Sequence, residues 1–231
     1  DKNMAADSFE TLQQQIIHCR ACPRLVDYRE QVGIHKRRAY QTEEYWAKPV
    51  PGFGDAEARV LILGLAPGAH GSNRTGRMFT GDASGNFLYP ALFRAGFASQ
   101  PDSQSRADGL TLKDVFVTAV CRCVPPGNKP QPEEIRNCRP FLQSEIQNLP
   151  RLQGIVALGK IAYDALLQLV FIQSREKIQL QFGHDVFVEG RPGRPWILAS
   201  YHPSRQNTQT RRLTNAMFDA IWMRVRTLLV P

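Results

Sequence analysis

Four short apolar runs, each followed by a stretch of helical spacing, limit this chain more than any other feature. They are Val60–Leu65, Asp114–Val120, Ile155–Gly159 and Trp196–Ser200. Runs this short, without polar alternation, suit strands buried on both faces. Phe87, Leu88, Ala91, Leu92 and Ala95 follow the first run at helical spacing, and helices are expected near 133–148 and 160–172 after the second and third. An amphipathic helix is expected over 211–229, and one over 6–17 rests on Phe9, Leu12, Ile16 and Ile17. This alternation predicts an α/β fold of three layers, αβα, around a central four-stranded parallel sheet. Residues 35–58 read as irregular chain, 98–112 as polar loop, and 173–195 as a loop or β-excursion with 185–188 extended. The 231 residues suit a single domain, 1–231, in which residues 1–58 form an N-terminal segment packed on the α/β core.

Ligands of such sheets bind beyond the carboxyl ends of the strands, which directs attention to the loops after Leu65, Val120, Gly159 and Ser200, all but the third of which carry unusual chemistry. The first runs from Gly64 to Ser84 and carries neither a phosphate-binding Gly-Lys-Ser/Thr nor a G-x-G-x-x-G fingerprint. Its dense glycines, with Ala66 and Gly68 at its start, let a flat ligand approach the backbone. Phe79 supplies a stacking face and Asp82 a carboxylate. The fourth loop, Tyr201 to Arg212, sets His202 directly after a buried strand with Pro203 behind it. Arg205, Arg211 and Arg212 stand nearby, and no acidic residue occurs between 190 and 218. His18, His35, His70 and His184 read as structural.

Five cysteines in a chain without an export signature point to metal or a reactive thiol rather than disulfides. Cys19 and Cys22 form Cys-x-x-Cys, and 14 residues separate Cys123 from Cys138. One close pair and two dispersed thiols fit four-thiolate coordination, of zinc or of an iron–sulfur cluster. Cys123 lies where the second strand gives way to Val124-Pro125-Pro126-Gly127-Asn128 and can turn toward such a site. Cys121 reads as a core thiol.

The net charge of +8 is concentrated toward the end of the chain, where residues 201–231 contribute +4. A basic excess of this kind favours a polyanionic partner. No run is long enough to span a bilayer and the first residues form no apolar signal region, so no membrane association is expected. The expected setting is cytoplasmic, at the prokaryotic nucleoid, and the expected state a monomer.

Together these segments resemble the iron–sulfur families of the uracil-DNA glycosylase superfamily. The resemblance covers the Cys19/Cys22 pair, the first loop, Cys123-x-Pro-Pro-Gly-Asn, Cys138 and His202-Pro203-Ser204. Family four carries Glu and Asn where this chain has Leu65 and Ala119. The run Ala69-His-Gly-Ser-Asn-Arg-Thr-Gly-Arg-Met-Phe-Thr-Gly-Asp82 is instead similar to family five, type b. That resemblance implies a uracil-DNA glycosylase-like fold and a monofunctional repair enzyme. It would hydrolyse the N-glycosidic bond of uracil, and of some other deaminated bases, in DNA.

It implies a structural [4Fe-4S] cluster on Cys19, Cys22, Cys123 and Cys138. It also implies catalysis by Asp82, His202 and Asn128, and a base held against Phe79, Ala66 and Gly68. Arg205, Gln206, Asn207, Arg211 and Arg212 would contact DNA. Two other classes compete: a non-catalytic nucleic-acid-binding protein with a structural metal, and a redox enzyme using the cluster for electron transfer. A carboxylate among phosphate-facing loops weighs against the first, and the missing flavin or nicotinamide fingerprint against the second.

Overall fold

A computed structural model describes residues 2–174 and 181–229; the loop reading for 175–180 lies outside them. Helices α1 (Lys2–Ile17) and α2 (Pro23–Ile34) lead into the sheet. Strand β1 (Phe53–Gly54) precedes β2 (Val60–Gly64), then come the short α3 (Ser72–Thr75) and α4 (Gly85–Arg94). Next are β3 (Val115–Ala119), α5 (Pro132–Gln147), β4 (Gly154–Leu158) and α6 (Lys160–Ser174). The chain continues through β5 (Phe187–Val188), β6 (Trp196–Ser200), α7 (Arg205–Gln209) and α8 (Asn215–Leu228).

The four apolar runs are the four parallel strands, ordered β3-β2-β4-β6, with Ile62 of β2 opposite Val117 of β3 and Val156 of β4. Two short antiparallel strands, β1 beside β3 and β5 beside β6, extend this sheet to six. The expected count of four is corrected by these two-residue edges, which are too short to carry a periodic signal. Strand alternation sorts the core into two layers. Val60 and Ile62 face α4 and α8 through Leu88, Leu92, Phe218 and Trp222. Leu61 and Leu63 face α1, α5 and α6 through Phe9, Leu142, Ala162 and Leu166. Every residue of β2, β3, β4 and β6 is buried, as covering both faces requires.

Two helical boundaries differ from expectation. The helix expected over 211–229 is α8 alone and starts only at Asn215, while the separate short α7 lies before it within the fourth loop, each begun by its own capping hydroxyl. Ser204 Oγ accepts from Asn207 N at the head of α7, and Thr214 Oγ1 from Met217 N at the head of α8. Arg211, with φ +57°, breaks the chain between them. Helix α2 has no clear apolar stripe in the sequence, and it buries only Leu25, Val26 and Arg29. It starts at Pro23, whose fixed φ suits a first helical turn. Its Arg24 grips Glu134 of α5 at 2.7 and 2.8 Å.

Candidate functional site

The carboxyl ends of β2, β3 and β6 open into a cavity of about 490 Å³. Eight expected residues line it: Ala66, Gly68, Phe79, Asp82, Asn128, His202, Arg205 and Gln206. Leu65 and Ala119 also line it, so both positions that depart from the family-four pattern are apolar wall. A larger cleft of about 830 Å³ lies at the other end of β4 and β6, between Gln143 and Leu228. Its lining holds arginines but no carboxylate, histidine or cysteine, so chemistry rather than size singles out the smaller one.

Close glycine contacts fix two of the side chains. The Phe79 ring lies so near Gly64 that a Cβ there would stand 2.8 Å from its Cζ. At Gly71 a Cβ would stand 2.0 Å from Asp82 Oδ2. Phe79 itself adopts φ +52° and Asn128 φ +56°, the left-handed region that side chains avoid. Asp82 Oδ1 accepts from Gly85 N at 3.0 Å. Burial pushes the Asp82 carboxyl up, while N–H groups of Gly85 and Ser84 and the charge of Arg74 pull it back.

His202 is held from behind: Asn207 Nδ2 donates to its carbonyl at 2.9 Å. Burial lowers its imidazole to about 4, so the ring is neutral at physiological pH. Asn207 therefore braces the histidine loop, and it does not line the cavity. Arg211 and Arg212 are exposed and stand outside the lining, with Arg212 lying over the Tyr201 ring at 4.7 Å. The structural readings of His70 and His184 agree with their contacts. His70 Nδ1 meets Tyr45 Oη at 2.9 Å, and His184 Nδ1 accepts from Tyr201 N at 3.3 Å.

Sequence reasoning missed the arginines that brace this loop, because an arginine among glycines gives no sign of whether it faces inward. Arg77, 4% exposed, donates to Asp108 at 2.9 and 2.6 Å, to Thr80 Oγ1 and to Ser103 Oγ. Arg74 donates to the carbonyls of His70 and Gly81. Ser72 and Met78 are further lining residues that carried no signal of their own, and Ser204, singled out only as part of the His202-Pro203-Ser204 motif, lines it too.

On the far side of the glycine-rich loop, Cys19, Cys22, Cys123 and Cys138 line one small void with Leu25, Val26, Pro49, Phe141, Arg29 and Arg122. Cys121 is fully buried in the helix-facing core and does not line it. Among the described residues, no three His, Cys, Asp or Glu converge as ligands of one metal ion. A cluster spreads its thiolates over separate irons and does not need that convergence. Arg29 Nη1 donates to Cys123 Sγ at 3.0 Å. Arg29 Nε and Arg122 Nε and Nη1 are buried without any acceptor. Four thiols, apolar packing and unsatisfied cationic donors fit an anionic iron–sulfur group.

The sequence pattern of the "Uracil DNA glycosylase superfamily" matches residues 51–226. The chain is 52% identical over 219 residues to a type-5 uracil-DNA glycosylase of Thermus thermophilus, covering 95% of this chain and 97% of that one. A type-5 uracil-DNA glycosylase of Mycobacterium leprae is 47% identical over 224 residues, 96% of each chain. A type-4 uracil-DNA glycosylase of Pyrobaculum aerophilum is 34% identical over 163 residues, 70% of this chain and 66% of that one. With its fold, its cavity and these relatives in view, the chain belongs to the uracil-DNA glycosylase superfamily and, within it, to the type-5 family.

Proposed function

We propose that this chain is a monofunctional DNA repair glycosylase that removes uracil, and other deaminated bases, by hydrolysing the N-glycosidic bond and leaving an abasic site. The observation that carries the reading is a carboxylate, a neutral imidazole and an aromatic face in one strand-end cavity: Asp82, His202 and Phe79. The names of the type-5 relatives support it.

A base within a duplex must flip out before its glycosidic bond is reachable. Phe79 offers it a face, while Ala66 and Gly68 allow it close to the backbone. Cleavage leaves negative charge on the departing base and positive charge on the sugar. A neutral His202 donates a hydrogen bond to the base oxygen as that charge develops. Asp82 steadies the sugar cation and orients the attacking water, with Asn128 as a second polar contact. Arg205 and Gln206 at the cavity mouth meet the DNA, Arg211 and Arg212 bind its phosphates, and Asn207 acts through His202.

Cys19, Cys22, Cys123 and Cys138 would hold a [4Fe-4S] cluster. Bound there it would fasten the 1–58 segment to the connector after β3, so that residues 1–231 act as one unit, as a monomer. Among the described residues no helix is long and apolar enough to cross a membrane.

The test is incubation with a duplex carrying one uracil, followed by alkaline cleavage at the resulting abasic site. A nicked product from the uracil strand alone is expected. Tight binding without any abasic product would overturn the reading in favour of a non-catalytic DNA-binding protein.

A further inference from the structure

Two guanidinium groups are buried against the four-cysteine void. Arg29 of α2 is 2% exposed, and Arg122, just after β3, is 1% exposed. Arg29 Nη1 donates to Cys123 Sγ at 3.0 Å and to the Cys19 carbonyl at 3.3 Å, while its Nε has no acceptor. Arg122 Nη2 donates to Glu145 Oε2, leaving Nε and Nη1 without acceptors. Glu145 is fully buried and also accepts from Thr118 Oγ1 at 2.7 Å and Gln13 Nε2 at 3.2 Å.

Buried N–H groups are almost always satisfied. Three unsatisfied guanidinium nitrogens on two residues that both line one void call for acceptors inside it. The other lining side chains offer only sulfur and carbon. We infer that Arg29 and Arg122 are the hydrogen-bond donors to the sulfur atoms of the bound iron–sulfur group and set its charge balance, with Glu145 as the opposing charge. The inference rests on the iron–sulfur reading proposed above and goes beyond it to two residues outside the ligand set.

Its consequence is electrostatic. Taking up one electron makes the cluster more negative, forms or breaks no bond and moves no proton. Donors and cations at the sulfurs favour that reduced form and raise the reduction potential. Glu145, reaching the site through Arg122, disfavours it. Loss of Arg29 and loss of the Glu145 charge therefore shift the potential in opposite directions, whereas a loosened fold would move both alike.

The experiment is an anaerobic spectroelectrochemical titration, with the electrode supplying the electron, of the wild-type holoprotein and three variants. Iron content and visible absorption are read alongside. Arg29→Met is expected to disfavour reduction at least tenfold, which is about 59 mV downward for one electron. Arg29→Lys keeps the charge but not the planar fork and is expected between wild type and Arg29→Met. Glu145→Gln is expected to shift upward. If Arg29→Met fails to keep its iron, Arg29→Lys and Glu145→Gln still give the opposed signs. Iron-replete variants whose midpoints stay at the wild-type value would overturn this inference alone. A wild type that carries no iron after anaerobic purification would overturn the iron–sulfur reading itself, and this inference with it.

Discussion

Phe79 and His202 stack on one another across the cavity, with ring centroids 5.9 Å apart and planes 30° from parallel. At that separation the rings are already in contact, and a third ring cannot lie between them. On the proposed reading, a flipped base would therefore use one face of Phe79 and present an edge to His202. That is the geometry of a donor aimed at a leaving group rather than of an aromatic clamp.

If His202 stabilises the departing base, its value depends on how poor that leaving group is. His202→Ala is expected to slow single-turnover release of uracil on the order of a hundredfold or more, about 3 kcal/mol. 5-Fluorouracil, which leaves more readily, should be slowed least. Equal losses for uracil, hypoxanthine and 5-fluorouracil would assign His202 to positioning instead.

The neutral imidazole also predicts a pH dependence. In the unfolded chain His202 protonates near 6.5, but in the folded protein only near 4. Between those values the unfolded state binds the extra proton, so stability is complete above about 6.5 and falls as pH drops toward 4. The full loss is on the order of 3 kcal/mol. Denaturation midpoints of His202→Asn, measured over this window, should decline less steeply than those of the wild type.

Gly71 sets the position of the Asp82 carboxylate. A methyl there would overlap Asp82 Oδ2, so Gly71→Ala is expected to reproduce the slow cleavage of Asp82→Asn while leaving all four cysteines in place. Asp82→Asn should slow every base by a similar factor. The check is single-turnover kinetics on the same three duplexes, and wild-type rates in Asp82→Asn would remove the carboxylate from the reaction.

Arg211 and Arg212 lie outside the cavity and should matter to affinity rather than to base choice. Removing one phosphate-neutralising cation lowers the slope of log affinity against log salt by about 0.9. Arg211→Ala and Arg212→Ala are expected to flatten that slope without altering the preference for uracil over thymine. Fluorescence anisotropy across a salt series measures both.

The proposed ligand set takes Cys123 and leaves out Cys121, which does not line the void. Cys123→Ser is expected to lose visible colour and iron on anaerobic purification, whereas Cys121→Ser keeps both. Iron analysis of the two variants decides it, and a bleached Cys121→Ser would put Cys121 among the ligands instead.

The sheet was legible because Val60–Gly64 and its three partners are buried on both faces, which leaves a continuous apolar run in the sequence. The meeting of Asp82, Phe79 and His202 in one cavity was legible because all three stand in loops beyond strand ends. What escaped was whatever depends on direction. Nothing in the sequence tells which way Arg77 points, and it is buried against Asp108. The bond from the Asn207 amide to His202 O carries no sequence signal either. Helix α2 escaped because only Leu25, Val26 and Arg29 along it are buried, which leaves no stripe.

The left-handed backbone at Phe79 sets selection for durability against selection for repair. A bulky aromatic at φ +52° holds the chain in a conformation that glycine or asparagine would adopt with less strain. Replacing it with either is expected to relieve on the order of 1 kcal/mol of backbone strain, set against the loss of a buried ring. A variant chosen for heat resistance alone would have reason to discard this ring, and on the proposed reading it would lose with it the face offered to the base.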